Sequence, residues 1–96
     1  MTYSLAFLDE ALKEWRTLDS VTREQFKAKL AERLQNPKIP SARLHGMRER
    51  YKIKLRNAGY RLVYQVKDHE LIVLVVAVGK RERNEVYKAA ERRQSG

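Results

Sequence analysis

Apolar and polar residues trade places along this chain with two different periods. Tyr3, Leu5 and Phe7 alternate with Thr2, Ser4 and Ala6, which predicts a short first strand with one apolar face. From Asp9, an expected N-cap, Leu8, Ala11, Leu12, Trp15 and Leu18 recur at helical spacing, giving an amphipathic helix that ends near Asp19. Ser20 is expected to cap a second helix, in which Phe26, Leu30 and Leu34 stack at four-residue steps with Ala31 beside them until Asn36-Pro37 stops it. Residues 37 to 50 hold both prolines and Gly46 without clear periodicity and read as a connecting loop.

The sharpest alternation follows. Tyr51, Ile53 and Leu55 interleave with Lys52, Lys54 and Arg56, so a strand here is apolar on one face and cationic on the other. Tyr60 to Val66 alternates again, and a hairpin through Asn57-Ala58-Gly59 returns Arg61 to the cationic side. Lys67 to Glu70 is a polar turn, and Leu71 to Val78, β-branched at most positions, predicts a central strand ended by Gly79. Asn84 can cap a last helix from Glu85 to about Arg92, leaving Gln94-Ser95-Gly96 as a frayed tail. With 96 residues, no internal repeat and no boundary, residues 1–96 form one domain in which every functional group shares a single fold.

Charge sharpens the picture. The formal net charge is +9, but residues 1 to 40 carry seven Lys/Arg against six Asp/Glu while residues 41 to 61 carry seven against one. A concentrated excess favours a polyanion or an acidic protein partner. No cysteine is present, so disulfides and thiolate chemistry are excluded, as suits a reducing cytosol. The longest apolar run, Leu71 to Val78, is too short to span a bilayer, which points to a soluble cytoplasmic protein with no membrane partner. Carboxylates are nearly missing from the cationic segments, and His45 and His69 lack paired ligands at useful spacing, so neither a metal nor a cofactor is expected. Tyr60, Tyr64 and Trp15 read as core, and Arg83, Arg92 and Arg93 lie among Glu82, Glu85 and Glu91, where local ion pairing competes with any outward role.

The run YKIKLRNAGYRLVYQV followed by VVAVGKRERNEVY, with ALKEW at Ala11 to Trp15, resembles the RelE family of ribosome-dependent mRNA interferases, the toxins of type II toxin and antitoxin pairs, over nearly the whole chain. The resemblance implies an α+β fold: two N-terminal helices on a small antiparallel sheet, with a short C-terminal helix. It implies five catalytic residues by motif position, namely Lys52, Lys54, Arg61, Arg81 and Tyr87. It also implies metal-free cleavage of mRNA in the ribosomal A site by the substrate's own 2′-OH, leaving a 2′,3′-cyclic phosphate and a 5′-OH end. The implied partners are the ribosome and its mRNA, a RelB-like antitoxin that wraps the toxin with a helical segment, and operator DNA only through the antitoxin complex. Arg48, Arg50, Arg56 and Arg83 are candidate RNA contacts on charge alone.

In that frame Lys54 is the general base, its pKa pushed down by the neighbouring charges of Lys52, Arg61 and Arg81. Arg81 stabilises the leaving 5′ oxygen, because a guanidinium is a reluctant proton donor. Lys52 and Arg61 hold the non-bridging oxygens, and Tyr87 either stacks on a base or orients the 2′-OH. A site without an effective acid and base pair depends on mRNA pre-shaped by the ribosome. Three other functions share some of these features: a ParE-like inhibitor of DNA gyrase on the same fold, a non-catalytic RNA- or ribosome-binding module, and a metal-dependent nuclease.

Overall fold

A computed structural model describes residues 2–93. The chain runs β1 (Ser4–Phe7), α1 (Asp9–Arg16), α2 (Ser20–Gln35), a 3₁₀ turn (Pro40–Ala42), β2 (Arg50–Leu55), β3 (Tyr60–Lys67), a second 3₁₀ turn (Asp68–Glu70), β4 (Ile72–Lys80) and α3 (Glu85–Arg92). The tail Gln94-Ser95-Gly96 lies outside the described residues.

The four strands form one sheet in the order β1-β4-β3-β2. The β2–β3 and β3–β4 pairs are antiparallel, but β1 runs parallel to β4, so the sheet is mixed and the all-antiparallel expectation is corrected. A parallel neighbour requires a long crossover, here everything from α1 to β3, and no local pattern in a four-residue strand reveals it.

Helix starts differ from expectation by one residue each. Leu8, not Asp9, occupies the N-cap of α1 without a side-chain cap bond, and Asp9 and Glu10 instead place negative charge in the first turn, where the helix dipole favours it. Asp19, not Ser20, caps α2: its carboxylate accepts the Thr22 N–H at 3.2 Å, and the Thr22 side chain, followed by this N–H, holds its pKa below the ordinary value.

The sheet is covered on both faces. Trp15, Phe26 and Leu30 from the helical hairpin pack on Tyr51, Ile53, Leu62, Tyr64 and Val75, with ring centroids of Trp15 5.2 Å from Phe7 and 6.3 Å from Phe26. On the opposite face Val86 and Ala90 of α3 pack on Val63, Val76 and Ala77. The pairing steps from Val63–Ala77 to Tyr64–Val75, so β4 carries one extra residue, a bulge that turns both Val76 and Ala77 toward α3. This double coverage explains why the β4 sequence is a continuous apolar run.

Tyr64 ties the hairpin to the sheet. Fully buried, it donates its hydroxyl hydrogen to the Pro37 carbonyl at 2.6 Å and accepts from Arg33 Nη1 at 2.8 Å, while the same Arg33 nitrogen reaches the Lys52 carbonyl at 3.2 Å. Tyr64→Phe strands the buried Pro37 carbonyl, and urea unfolding is expected to register a loss of about 1–3 kcal/mol. A wild-type midpoint would show that this bond carries no weight.

Candidate active site

The hairpin register sets Lys54 opposite Arg61 and Lys52 opposite Val63, so these cations share the face that α3 partly covers. Gly59, at φ +71°, closes the turn by donating its N–H to the Leu55 carbonyl at 2.8 Å, a conformation that suits a residue without Cβ. The Gly59 carbonyl then accepts the Arg81 N–H at 2.9 Å, which pins the segment after β4 to the hairpin tip. Strand β4 continues through Gly79, contrary to expectation, and Gly79 pairs with Arg61. A Cβ at Gly79 would stand 3.1 Å from Val86 Cγ2, so the missing side chain is what allows the start of α3 to settle there.

The result is a cleft of about 260 Å³ lined by Lys54, Arg61, Lys80, Arg81, Asn84, Val86 and Tyr87. Four of the five residues implied by motif position therefore converge on one space. Lys52 is not part of the lining but acts on it: its positive charge is the largest cause of a lowered Lys54 pKa, followed by desolvation and then Arg61 and Arg56. Arg56, rather than the expected Arg81, is the further cation in that set. The Tyr87 ring packs on the α3-side core, and its hydroxyl is buried with no hydrogen-bond partner. Among the described residues no carboxylate lines this space, and a wall of ammonium and guanidinium groups attracts phosphate and repels metal cations.

Helix α3 is held at its far end. Arg93 donates Nη1 and Nη2 to the Glu14 carboxylate at 2.8 and 3.1 Å, Nη1 also to the Val76 carbonyl at 2.9 Å, and lies 3.2 Å from Glu10. Glu14 in turn accepts the Val78 N–H at 3.1 Å. Backbone groups beside the bulge are thereby satisfied by a side-chain pair from α1 and the end of α3.

Arg50 completes the anchor and corrects its assignment as an RNA contact. Only 7% exposed, its guanidinium donates to Gln65 Oε1 at 3.0 Å, to the Arg93 carbonyl at 2.6 Å and to the Ala90 carbonyl, so its donors are committed to capping α3 from beneath and it borders a different cleft from Lys54. Arg48 is exposed on a separate, larger cleft of about 920 Å³ whose walls mix Arg48, Lys67 and His69 with Glu49, Asp68, Glu70 and Glu91. Arg56 is exposed in the hairpin turn beside Lys54, and Arg83 is exposed at φ 51° in the turn before α3. Sequence reasoning missed Lys80 and Asn84 as lining residues; continuing the strand past Gly79 would have found Lys80, opposite Tyr60.

Comparison with known proteins identifies relatives of this chain by sequence and fold. The family described as ParE toxin of type II toxin-antitoxin system, parDE, matches residues 5–85. The mRNA interferase toxin RelE of Escherichia coli strain K12 is 57% identical over 93 residues, which cover 97% of this chain and 98% of that protein. A solved structure of an E. coli toxin RelE arginine-to-alanine double mutant in the free state superposes with a TM-score of 0.88 at 55% identity, covering 95% of this chain and 96% of that one. The same mutant bound to a peptide of the antitoxin RelBc gives 0.82 at 54% identity, covering 98% and 99%.

The charge cluster makes two checkable demands. Removing its largest contributor with Lys52→Gln should move the Lys54 titration, followed by NMR at its Cε, to higher pH; an unmoved titration would mean Lys52 does not set it. Because the folded pKa of Lys54 lies below its ordinary 10.5, the unfolded chain binds more protons between those two values. Stability therefore rises as pH rises through that window, and the repulsion is fully present below it. Lys54→Gln should accordingly melt at a higher temperature than the parent at neutral pH.

Proposed function

The chain belongs to the RelE family of type II toxins, and we propose that it is a ribosome-dependent mRNA interferase, an endoribonuclease that cuts mRNA in the ribosomal A site and stops translation. The observation that carries this reading is the cleft in which Lys54, an ammonium weakened by its neighbours, stands with Arg61, Arg81 and the unpartnered Tyr87 hydroxyl.

In the proposed reaction neutral Lys54 takes the proton of the attacking 2′-OH. The new bond joins O2′ to phosphorus and the bond to O5′ breaks, giving a 2′,3′-cyclic phosphate. Arg81 stabilises the charge on O5′, which is protonated from solvent. Lys52 and Arg61 hold the non-bridging oxygens, donors worth typically roughly 3–4 kcal/mol each when aimed at developing charge. Tyr87 lines the cleft, where its ring would stack on a base or its phenol orient the 2′-OH. A lone lysine base and a reluctant guanidinium need mRNA already bent toward in-line attack, which is the part the ribosome supplies. Exposed Arg48, Arg56 and Arg83 would grip RNA phosphates.

A RelB-like antitoxin is the proposed neutralising partner, supported by the E. coli toxin's structure with an antitoxin peptide. Operator DNA would be reached only through that complex, and the site of action would be the cytoplasm. The family description in terms of ParE keeps gyrase inhibition as the second reading. Against it stand the five residues of the interferase motif, four of them around one cleft.

On mRNA-programmed ribosomes, mapped by primer extension, Lys54→Ala and Arg81→Ala should each lower cleavage by at least ~10²-fold while ribosome binding stays nearly constant. The same mRNA without ribosomes should be cut poorly. No cleavage by the folded parent on ribosomes would overturn the reading in favour of gyrase inhibition or passive binding.

A further inference from the structure

Asn84 precedes α3 and by sequence should cap it. Its backbone instead sits in the left-handed region at φ 58°, ψ 28°, and its side chain makes no capping bond. It is exposed and lines the same cleft as Lys54 and Tyr87. Tyr87 stands three positions on, in the first turn of α3, and lines the same cleft.

The other lining groups differ from it in kind. Lys54, Arg61, Lys80 and Arg81 offer donors only and suit phosphate oxygens; Val86 offers nothing polar; the Tyr87 hydroxyl is buried. The Asn84 carboxamide is the exposed neutral group in the lining with both donors and an acceptor, the combination that reads a base edge. Single-stranded RNA presents such edges freely. Resting on the function proposed above, we infer that Asn84 reads the base of the nucleotide held at Lys54 and Tyr87, and so determines which codons are cut.

The test uses the full chain and ribosomes programmed with mRNAs that differ by one base at each A-site codon position, with single-turnover cleavage rates as the readout. Asn84→Gly keeps the left-handed turn, because glycine adopts it freely, and removes only the carboxamide. The parent should show roughly 10-fold or more between best and worst base at one codon position. In Asn84→Gly that spread should fall to within about 3-fold at that position, with the other two positions unchanged; Asn84→Asp, which replaces donors by an acceptor, should reorder the bases there. An unchanged spread, or an equal slowing of every codon, overturns the assignment. A parent that cuts no codon overturns the function reading itself, which is a different result from a parent that discriminates and a variant that does so equally.

Discussion

Glu14 and Arg93 meet beside the point where β4 holds one residue more than its neighbour, and the position of α3 depends on that meeting. The bulge turns Val76 and Ala77 together toward α3, but it also disturbs the ladder. Glu14 takes up the Val78 N–H and Arg93 the Val76 carbonyl, so the local defect becomes a socket for the end of a helix. Arg50 reaches the last carbonyls of that helix from the sheet. Three charged side chains from α1, β2 and the end of α3 thus fix one end of α3, while its other end carries Tyr87 into the cleft. Removing one member would leave its partners poorly solvated, which is why such clusters tolerate little piecemeal change.

The two ends of α3 differ in how they were legible. The cationic face of β2 is visible in sequence because a two-residue period is a local property, and the hairpin that follows fixes which side Arg61 joins. The anchor is invisible for the opposite reason. Arg48 and Arg50 are two residues apart with the same side chain and similar neighbours, yet one is exposed and the other is closed over by carbonyls that arrive from forty residues downstream. The parallel β1–β4 pairing depends on the same kind of distant arrangement, and so does the bulge. Asn84 misled because asparagine favours both a helix cap and a left-handed turn, and composition does not choose between them.

The cleft also has an electrostatic consequence. Like charges are held together without a carboxylate among the described lining residues, so the site carries repulsion that the fold must tolerate, and Lys54 registers it as a weakened hold on its proton. An incoming phosphate relieves that repulsion and strengthens the hold again. In the proposed reaction, binding and base strength therefore oppose one another at Lys54, which favours a substrate whose geometry is prepared elsewhere.

Gly79 contributes no charge and no side chain, yet the seat of Val86 is cut to that absence. The first carbon added there would press on Val86 by a few tenths of an ångström, and a longer branch would tip the near end of α3 outward while its anchored far end stayed put. On the function proposed above, silencing of this chain thus has a route that leaves Lys54, Arg61, Arg81 and Tyr87 in the chain. A lineage under pressure to disarm it could drift through this one position, keep a folded chain that a protein partner still recognises, and carry all five motif residues as relics.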